Sequence, residues 1–415
     1  MVKRVTYRGV GLFANGQQVN RATAFGSSGS LNREEIRELG NKGVVEIVDD
    51  FNDISLTIDT NEAGNIDLLK ALAGEEKGST KKEIDFSRDF EFSKVDIWNI
   101  IRDTTDNNIY TEFIKDAYLS GYSFNGTVDG NATESYSLVS NSKTWFLGDQ
   151  VHVIRNKLTY AEVDQSWGPD ISLSYDIKKV LSVVHNGRVL DSSEYTATVT
   201  AGDASIKIDG STADDDVYAT FAGTATLESL EQVGFTPQGV DVAGSAKRRG
   251  HIEVYLAKGQ NINSGETFID TLNVDEDMLF RVQSVSVDAT LNREDIPQLG
   301  NTHYYDRPLQ LPIDVSVSFD LIFSELKAFA KFCGKDDMTG VNELNLDNFK
   351  NDIGMVIRIY NERDVDDIDN SRKVVKEIHV PYLIPTDEAF NISLDGQATQ
   401  TFSFRSGELG IKEKV

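Results

Sequence analysis

Apolar and polar residues alternate along much of this chain. Asp53-Ile54-Ser55-Leu56-Thr57-Ile58-Asp59 changes side at every position, the period of a strand with one buried face. Asp314-Val315-Ser316-Val317-Ser318-Phe319-Asp320 does the same, with Val315, Val317 and Phe319 opposite Ser316, Ser318 and Asp320. Each strand is followed by a stretch with helical spacing, Ile66 to Ala73 and Glu325 to Cys333, that ends at a glycine. The segment Lys82 to Phe92 also alternates, setting Ile84, Phe86, Phe90 and Phe92 against Glu83, Asp85, Ser87, Asp89 and Glu91. It predicts a strand with a row of carboxylates on one face. Such a row is tolerable beside water or a cavity, and it equally suits an edge strand guarded by charge. Glu343, Asn345 and Asp347 alternate with Leu344 and Leu346 in a weaker version. One short helix per set of strands predicts a sandwich or small barrel with a helical cap.

The resemblance between the two halves is literal. LNREEIRELGN begins at Leu31 and LNREDIPQLGN at Leu291, and the block from Phe124 to Leu138 matches Phe390 to Phe404 with mostly conservative changes. Between these anchors Lys94-Val95-Asp96-Ile97 answers Lys350-Asn351-Asp352-Ile353. Before the motif, the second copy carries about 17 more residues, the length of a longer surface loop or hairpin. The chain therefore reads as a duplication. Copy 1 spans residues 1–145, an unmatched insert 146–233, a linker 234–250 and copy 2 residues 251–415. The insert has its own strand signals, among them Val180 to Val184, an Asn186-Gly187 turn, and Tyr195 to Val199, which predict a small β-sandwich.

Within the repeated motif, Asn32 or Asn292 can cap a following turn. Arg33 or Arg293 can pair bidentately with a carboxylate, and Glu34 or Glu294 places a negative charge in the next turn. Such a segment suits a subunit boundary, and it equally suits a capped turn within each copy.

Charge narrows the partners. The chain has 41 basic and 67 acidic residues, a net charge of −26, which disfavours stable gripping of nucleic acid. An acidic surface does suit a path that nucleic acid must traverse without sticking. The single cysteine, Cys333, rules out an intramolecular disulfide framework and fits a reducing compartment. The beginning MVKRVTYRGVGLFANG lacks the apolar segment of a secretory signal, and no apolar run reaches membrane-span length, so neither standard export nor membrane insertion is expected.

A catalytic centre is not expected either. His152, His185, His251, His303 and His379 form no metal-ligand spacing, and Gly9-Val10-Gly11 with Gly16 misses the dinucleotide pattern. Asp214 to Asp216 and the cluster Asp364, Asp366, Asp367, Asp369 and Asn370 lack calcium-loop spacing and read as solvated loops. No metal, cofactor or enzymatic activity is expected.

On the LNRE motif in both halves, the paired Phe-Asn-x-(Thr/Ser)-(Val/Leu)-Asp-Gly blocks and the strand-rich layout, the chain resembles the major tail tube proteins of long-tailed bacteriophages, in particular those with a duplicated tube domain. The resemblance covers the two repeats and leaves the insert aside. It implies two β-sandwich tube domains and an inserted immunoglobulin-like β-domain decorating the outside. It further implies trimeric, pseudo-hexameric rings that stack into a tube through which double-stranded DNA passes into the host. Other partners would be tape-measure, terminator and baseplate tail proteins, and the location would be the virion tail after assembly in the host cytoplasm. The expected lumen surface is Ser55, Thr57, Asp59, Glu83, Asp85, Asp89 and Glu91, with Ser316, Ser318, Asp320, Glu343 and Asp347. The subunit-contact candidates are Asn32, Arg33, Glu34, Asn292, Arg293 and Glu294. Another ring-forming tail or baseplate protein, a receptor-binding adhesin and, more remotely, a β-rich hydrolase are the alternative readings.

Overall fold

The computed structural model describes residues 11–30, 33–37, 44–49, 52–61, 63–76, 78–102, 109–147, 151–169, 175–200, 202–224, 247, 249–258, 273–278, 282–299, 304–322, 333, 353–361, 373–392 and 398–414. The first repeat contains β1 (Gly11–Ala14), β2 (Gln17–Gln18), β3 (Ala22–Ser30), β4 (Arg33–Ile36), β5 (Glu46–Asp49), β6 (Asp53–Thr60) and α1 (Asp67–Leu72). It continues through β7 (Glu83–Asp85), α2 (Phe86–Asp89), β8 (Val95–Arg102), β9 (Ile109–Thr127), β10 (Thr133–Ser140) and β11 (Ser142–Leu147). The insert supplies β12 (Val151–Ala161), β13 (Ser166–Pro169), β14 (Asp176–His185), β15 (Arg188–Val189), β16 (Tyr195–Thr200), β17 (Asp203–Ile208) and β18 (Val217–Thr224). The second repeat follows a 3-10 turn at Arg249–His251 with β19 (Ile252–Lys258), β20 (Asn273–Met278), β21 (Val282–Thr290), β22 (Asp314–Ile322) and β23 (Ile353–Tyr360). It closes with β24 (Val374–Val380), β25 (Ile384–Asn391), β26 (Thr399–Ser406) and β27 (Gly410–Glu413). The protein is mainly β, and its sheets are antiparallel.

One ladder passes through both repeats in the order β3-β6-β10-β9-β21-β22-β26-β25. Its inner face carries Ile54, Leu56, Ile58, Phe124, Tyr136, Val317, Phe319, Phe402 and Phe404 into a single core. Across that core lie β1, β8, the first part of β9, and β11 from the first repeat, and a six-stranded sheet β20-β19-β23-β24-β27-β7, five strands from the second repeat and β7 from the first. The alternation of β6, β10, β22 and β26 explains the layering, because every second side chain there is buried and must find cover.

The pairing registers recur between the repeats. Arg33 faces Asp49 and Ile36 faces Glu46, while Arg293 faces Leu309 and Ile296 faces Asp306. Ser140 Oγ donates to the Lys115 carbonyl at 2.6 Å, and Ser406 Oγ donates to the Pro381 carbonyl at 2.5 Å. Asp116 and Tyr382, at matching places, both take positive φ, 51° and 49°. At Asp116 the long strand β9 passes from the sheet of β8 and β11 into the β3-to-β25 ladder. In the second repeat the corresponding run is divided at Pro381, which has no amide hydrogen to give to a ladder, into β24 and β25.

The insert forms a seven-stranded unit, β15-β14-β18-β12-β13-β17-β16, whose ends fold over so that β14 meets β16 and β17. Asn186 and Gly187 both have positive φ, 50° and 80°, as a tight hairpin turn requires. Its core, including Trp167, Val183, Ile206 and Phe221, is continuous with Phe13, Trp98, Ile100 and Phe113 on the outer face of β1, β8 and β9. Phe13 and Trp98 stack at 5.4 Å. At the same contact, the buried Asp96 carboxylate accepts from Ser182 and Thr220. The insert is therefore packed on the first repeat, on the side away from the β3-to-β25 ladder's outer face.

Two expectations are corrected. The stretch Lys82 to Phe92 is not one strand, because only Glu83–Asp85 extends before the chain turns into α2. Asp85 caps that helix, accepting from the amides of Ser87 at 3.0 Å and Arg88 at 3.4 Å. Phe86 and Phe90, four residues apart, then share the core with ring centroids 5.1 Å apart, while Phe92 is exposed. The first repeat consequently has two short helices, not one. The repeated motif is likewise no capped turn: residues 33–36 and 293–296 are one side of a hairpin. The helix expected at Glu325 to Cys333 lies outside the described residues except for Cys333, which is buried.

Candidate functional site

The outer face of the β3-to-β25 ladder is lined by small polar residues and aspartates. Alternation places Ser55, Thr57 and Asp59 of β6 there, together with Ser123 and Asn125 of β9 and Ser135 and Ser137 of β10. Ser284, Ser286 and Asp288 of β21 and Ser316, Ser318 and Asp320 of β22 continue the row across the junction of the repeats. Hydroxyls donate to carboxylates between strands: Ser135 to Asp59 at 2.6 Å, Ser123 to Asp288 at 2.5 Å, and Ser284 and Thr401 to the two oxygens of Asp320, each at 2.6 Å. The Ser286 and Ser318 hydroxyls lie 2.9 Å apart. These bonds leave aspartate charge on a flat, closely pinned surface, with Arg405 of β26, opposite Ser316, as a cation on the same face. The aspartates can repel an anion, and the lone Arg405 guanidinium near the β25 end is outnumbered by them.

Of the expected lumen residues, Ser55, Thr57, Asp59, Ser316, Ser318 and Asp320 share this face. Glu83, Asp85 and Asp89 do not. β7 belongs to the six-stranded sheet, where Glu83 pairs with Lys412, Asp85 caps α2, and Asp89 meets Lys81 at 2.8 Å. Glu91 follows α2 and gives its carbonyl to Arg293 at 3.2 Å. Burial raises the pKa of the Asp85 carboxyl against the opposing pull of the Ser87 and Arg88 amides, as expected of a cap and not of a solvated row. Glu343 and Asp347 lie outside the described residues.

The two repeats join by backbone pairing. Gly121 to Thr127 of β9 face Thr290 to Ser284 of β21, with Phe124 opposite Val287, and both of those side chains are 0 % exposed. The joint is closed again in the other layer, where β7 of the first repeat pairs with β27 of the second. Between the layers Lys376 and Glu134, one from each repeat, form a buried ion pair, and the Tyr122 and Tyr136 hydroxyls also donate to Glu134. Burial and the neighbouring Glu134 charge push the Tyr122 hydroxyl well above the ordinary phenol range.

Arg293 anchors the motif of the second repeat onto the first. Its guanidinium donates to the carbonyls of Leu119 at 2.9 and 3.0 Å, Phe90 at 2.8 Å, Glu91 at 3.2 Å and Arg307 at 3.0 Å, and lies 5.3 Å from the Tyr118 ring centre. A carboxylate partner was expected; backbone oxygens take the role because β9 bulges beside them, at Ser120, and turns a carbonyl outward. Burial lowers the Arg293 pKa to about 10, which leaves it charged at neutral pH. Asn292 accepts from the Gln310 amide through its backbone carbonyl, and Glu294 donates its amide to Pro308. Asn32 and the side chain of Glu34 lie outside the described residues, and Arg33 is exposed.

Sequence reasoning missed Glu134 and Lys376. The only available signal was an acid at Glu134 where the matched block has Gln400, because the pairing partner lies hundreds of residues away. A cleft of about 450 Å³ between the first repeat, the insert and the second repeat's hairpin is lined by Arg88, Asp89, Lys94, Arg155, Asp191 and Asp306 among others, with no histidine or cysteine in its wall. Among the described residues no helix is long and apolar enough to cross a membrane. No family model matches this chain, and no curated protein matches its sequence.

Proposed function

We propose that this protein is a structural subunit that assembles head to tail with copies of itself into rings, and that the rings stack into the tail tube of a long-tailed bacteriophage. The observation that carries the reading is a relation between the middle of the ladder and its ends. β9 and β21 join the two repeats, and their sequence counterparts, β25 and β3, are the two outer strands of the same ladder. A joint made once inside the chain can thus be made again between chains, with β25 of one against β3 of the next. The contact is heterologous, so it closes into a ring when the rotation per repeat allows. Phe390, the counterpart of the fully buried Phe124, is 48 % exposed on the outer strand, and a neighbouring strand would cover it as β21 covers Phe124.

Three chains would present six similar units, with sixfold symmetry only approximate because the repeats differ. The ladder's serine and aspartate face would line the bore and let double-stranded DNA pass without being held. The insert, packed behind the opposite layer, would stand on the outside. Negative-stain electron microscopy of the purified protein tests this reading. Hollow tubes of stacked rings with threefold or pseudo-sixfold symmetry are expected, and a monomer at every concentration overturns it.

A further inference from the structure

The same hairpin occurs twice in this chain, in two different situations. In the second repeat it is docked: Arg293 is sunk among carbonyls of the first repeat, Arg307 at Ile47's equivalent position is 3 % exposed, and Tyr118 Oη donates to Asp306 at 2.8 Å. In the first repeat the hairpin has the same register and the same closing bond, Val45 amide to Ile36 carbonyl at 2.9 Å against Tyr305 amide to Ile296 carbonyl at 2.8 Å. There Ile47 is 56 % and Val44 41 % exposed, where their counterparts Arg307 and Tyr304 are buried and half-buried, while Ile36 and Val45 are as exposed as Ile296 and Tyr305 are in the docked copy. Two apolar side chains that the second repeat covers at the same places are thus left in water on a two-stranded ribbon.

The surface that receives the docked hairpin also has a counterpart. β9 bulges at Ser120, beside the Leu119 carbonyl that Arg293 binds, and β25 bulges at Thr386, beside the Pro385 carbonyl. Tyr118, which lies against the Arg293 guanidinium, corresponds to Ile384, which is 53 % exposed. An acid occupies the same place on both hairpins, Asp306 on one and Glu46 on the other.

We propose that the hairpin Arg33 to Asp49 of one chain docks onto the second repeat of a neighbouring chain, with the Arg33 guanidinium donating to the Pro385 carbonyl and the apolar hairpin residues covering Ile384. The occupant is a second copy of this protein. The inference rests on the ring reading and adds to it a specific clamp alongside the strand-to-strand joint. It also gives the two arginines different duties: Arg293 holds one chain together, and Arg33 holds two chains together.

The test compares Arg33→Ala with Arg293→Ala in the full-length chain. Thermal melting of the unassembled protein and the concentration at which tubes appear are both recorded. Arg33→Ala is expected to melt as the unaltered protein does and to raise the assembly concentration about tenfold or more, the scale set by loss of a charge-assisted hydrogen-bond cluster. Arg293→Ala is expected to lower the melting temperature of the single chain. A photoreactive benzoyl-phenylalanine at position 47, on the same hairpin with Arg33 kept, should cross-link to the second repeat of another chain near Ile384 and Pro385. Tubes that form with Arg33→Ala at the unaltered concentration, or cross-links that map elsewhere, overturn the clamp while leaving the ring reading intact. A chain that never assembles overturns both.

Discussion

The ammonium of Lys376 rests against the carboxylate of Glu134, and neither side chain exposes more than 1 % of its surface. One residue comes from each repeat, and Lys376 also donates to the Asn65 carbonyl at 3.1 Å. Removing one partner strands a charge in the core. Lys376→Met should therefore cost about 3–5 kcal/mol in urea unfolding, and Lys376→Met with Glu134→Gln should recover much of that loss. Equal stability of the single and double variants would contradict the assignment.

Glu377 gives the fold a defined acid sensitivity. Burial favours its neutral form, but the hydrogen bond and charge of His379 with the charges of Lys414 and Arg358 outweigh that and carry its pKa down to about 2. A carboxyl depressed in the folded state contributes stability that is complete above the unfolded pKa, about 4.3, and is lost as pH falls from there through about 2. Glu377→Gln should flatten the acid limb of the stability curve by on the order of 2–3 kcal/mol between those limits. An unchanged acid limb, measured by denaturant unfolding at each pH, would count against it.

Disrupting either outer strand of the ladder should block association and spare the fold. Phe390→Asp charges the outer strand β25, and Ser28→Asp places a carboxylate on β3 at the opposite edge. Each variant is expected to sediment as a single chain at concentrations about 100-fold above those at which the unaltered protein assembles, with its circular dichroism retained. Normal tubes from both variants would refute the edge-to-edge joint.

The polar ladder face makes a further prediction about nucleic acid. Tubes carrying Asp59→Lys and Asp320→Lys should retain DNA in a salt-dependent way, with each lysine that reaches a phosphate adding about 0.9 to the salt slope. The same lysines placed at Asp214 and Asp215 of the insert should not trap DNA inside the tube. Nuclease protection in filled and empty assemblies distinguishes the two.

Much of the layering was legible in the sequence because strands with one buried face announce themselves. The alternation in Asp53 to Asp59 and Asp314 to Asp320 gave β6 and β22, and Asn186-Gly187 gave the β14–β15 turn. The stretch Lys82 to Phe92 misled because period two also places apolar residues four apart. Phe86 and Phe90 satisfy a helix and a strand equally, and the Asp85 cap decides between them. Long-range partners were the least legible. Nothing near Arg293 in the chain indicates that its guanidinium will meet Leu119 and Phe90, since one carbonyl is freed by the bulge in β9, the other lies at the end of α2, and both are reached only when the second repeat folds back on the first.

The left-handed turn at Asp116 has a mechanical consequence. Because β9 is a single strand that pairs with β8 and β11 before Asp116 and with β10 and β21 after it, the two sheets of the first repeat cannot slide past one another without tearing a backbone ladder. A load applied to the insert is carried through β9 to the polar wall as tension along a covalent chain.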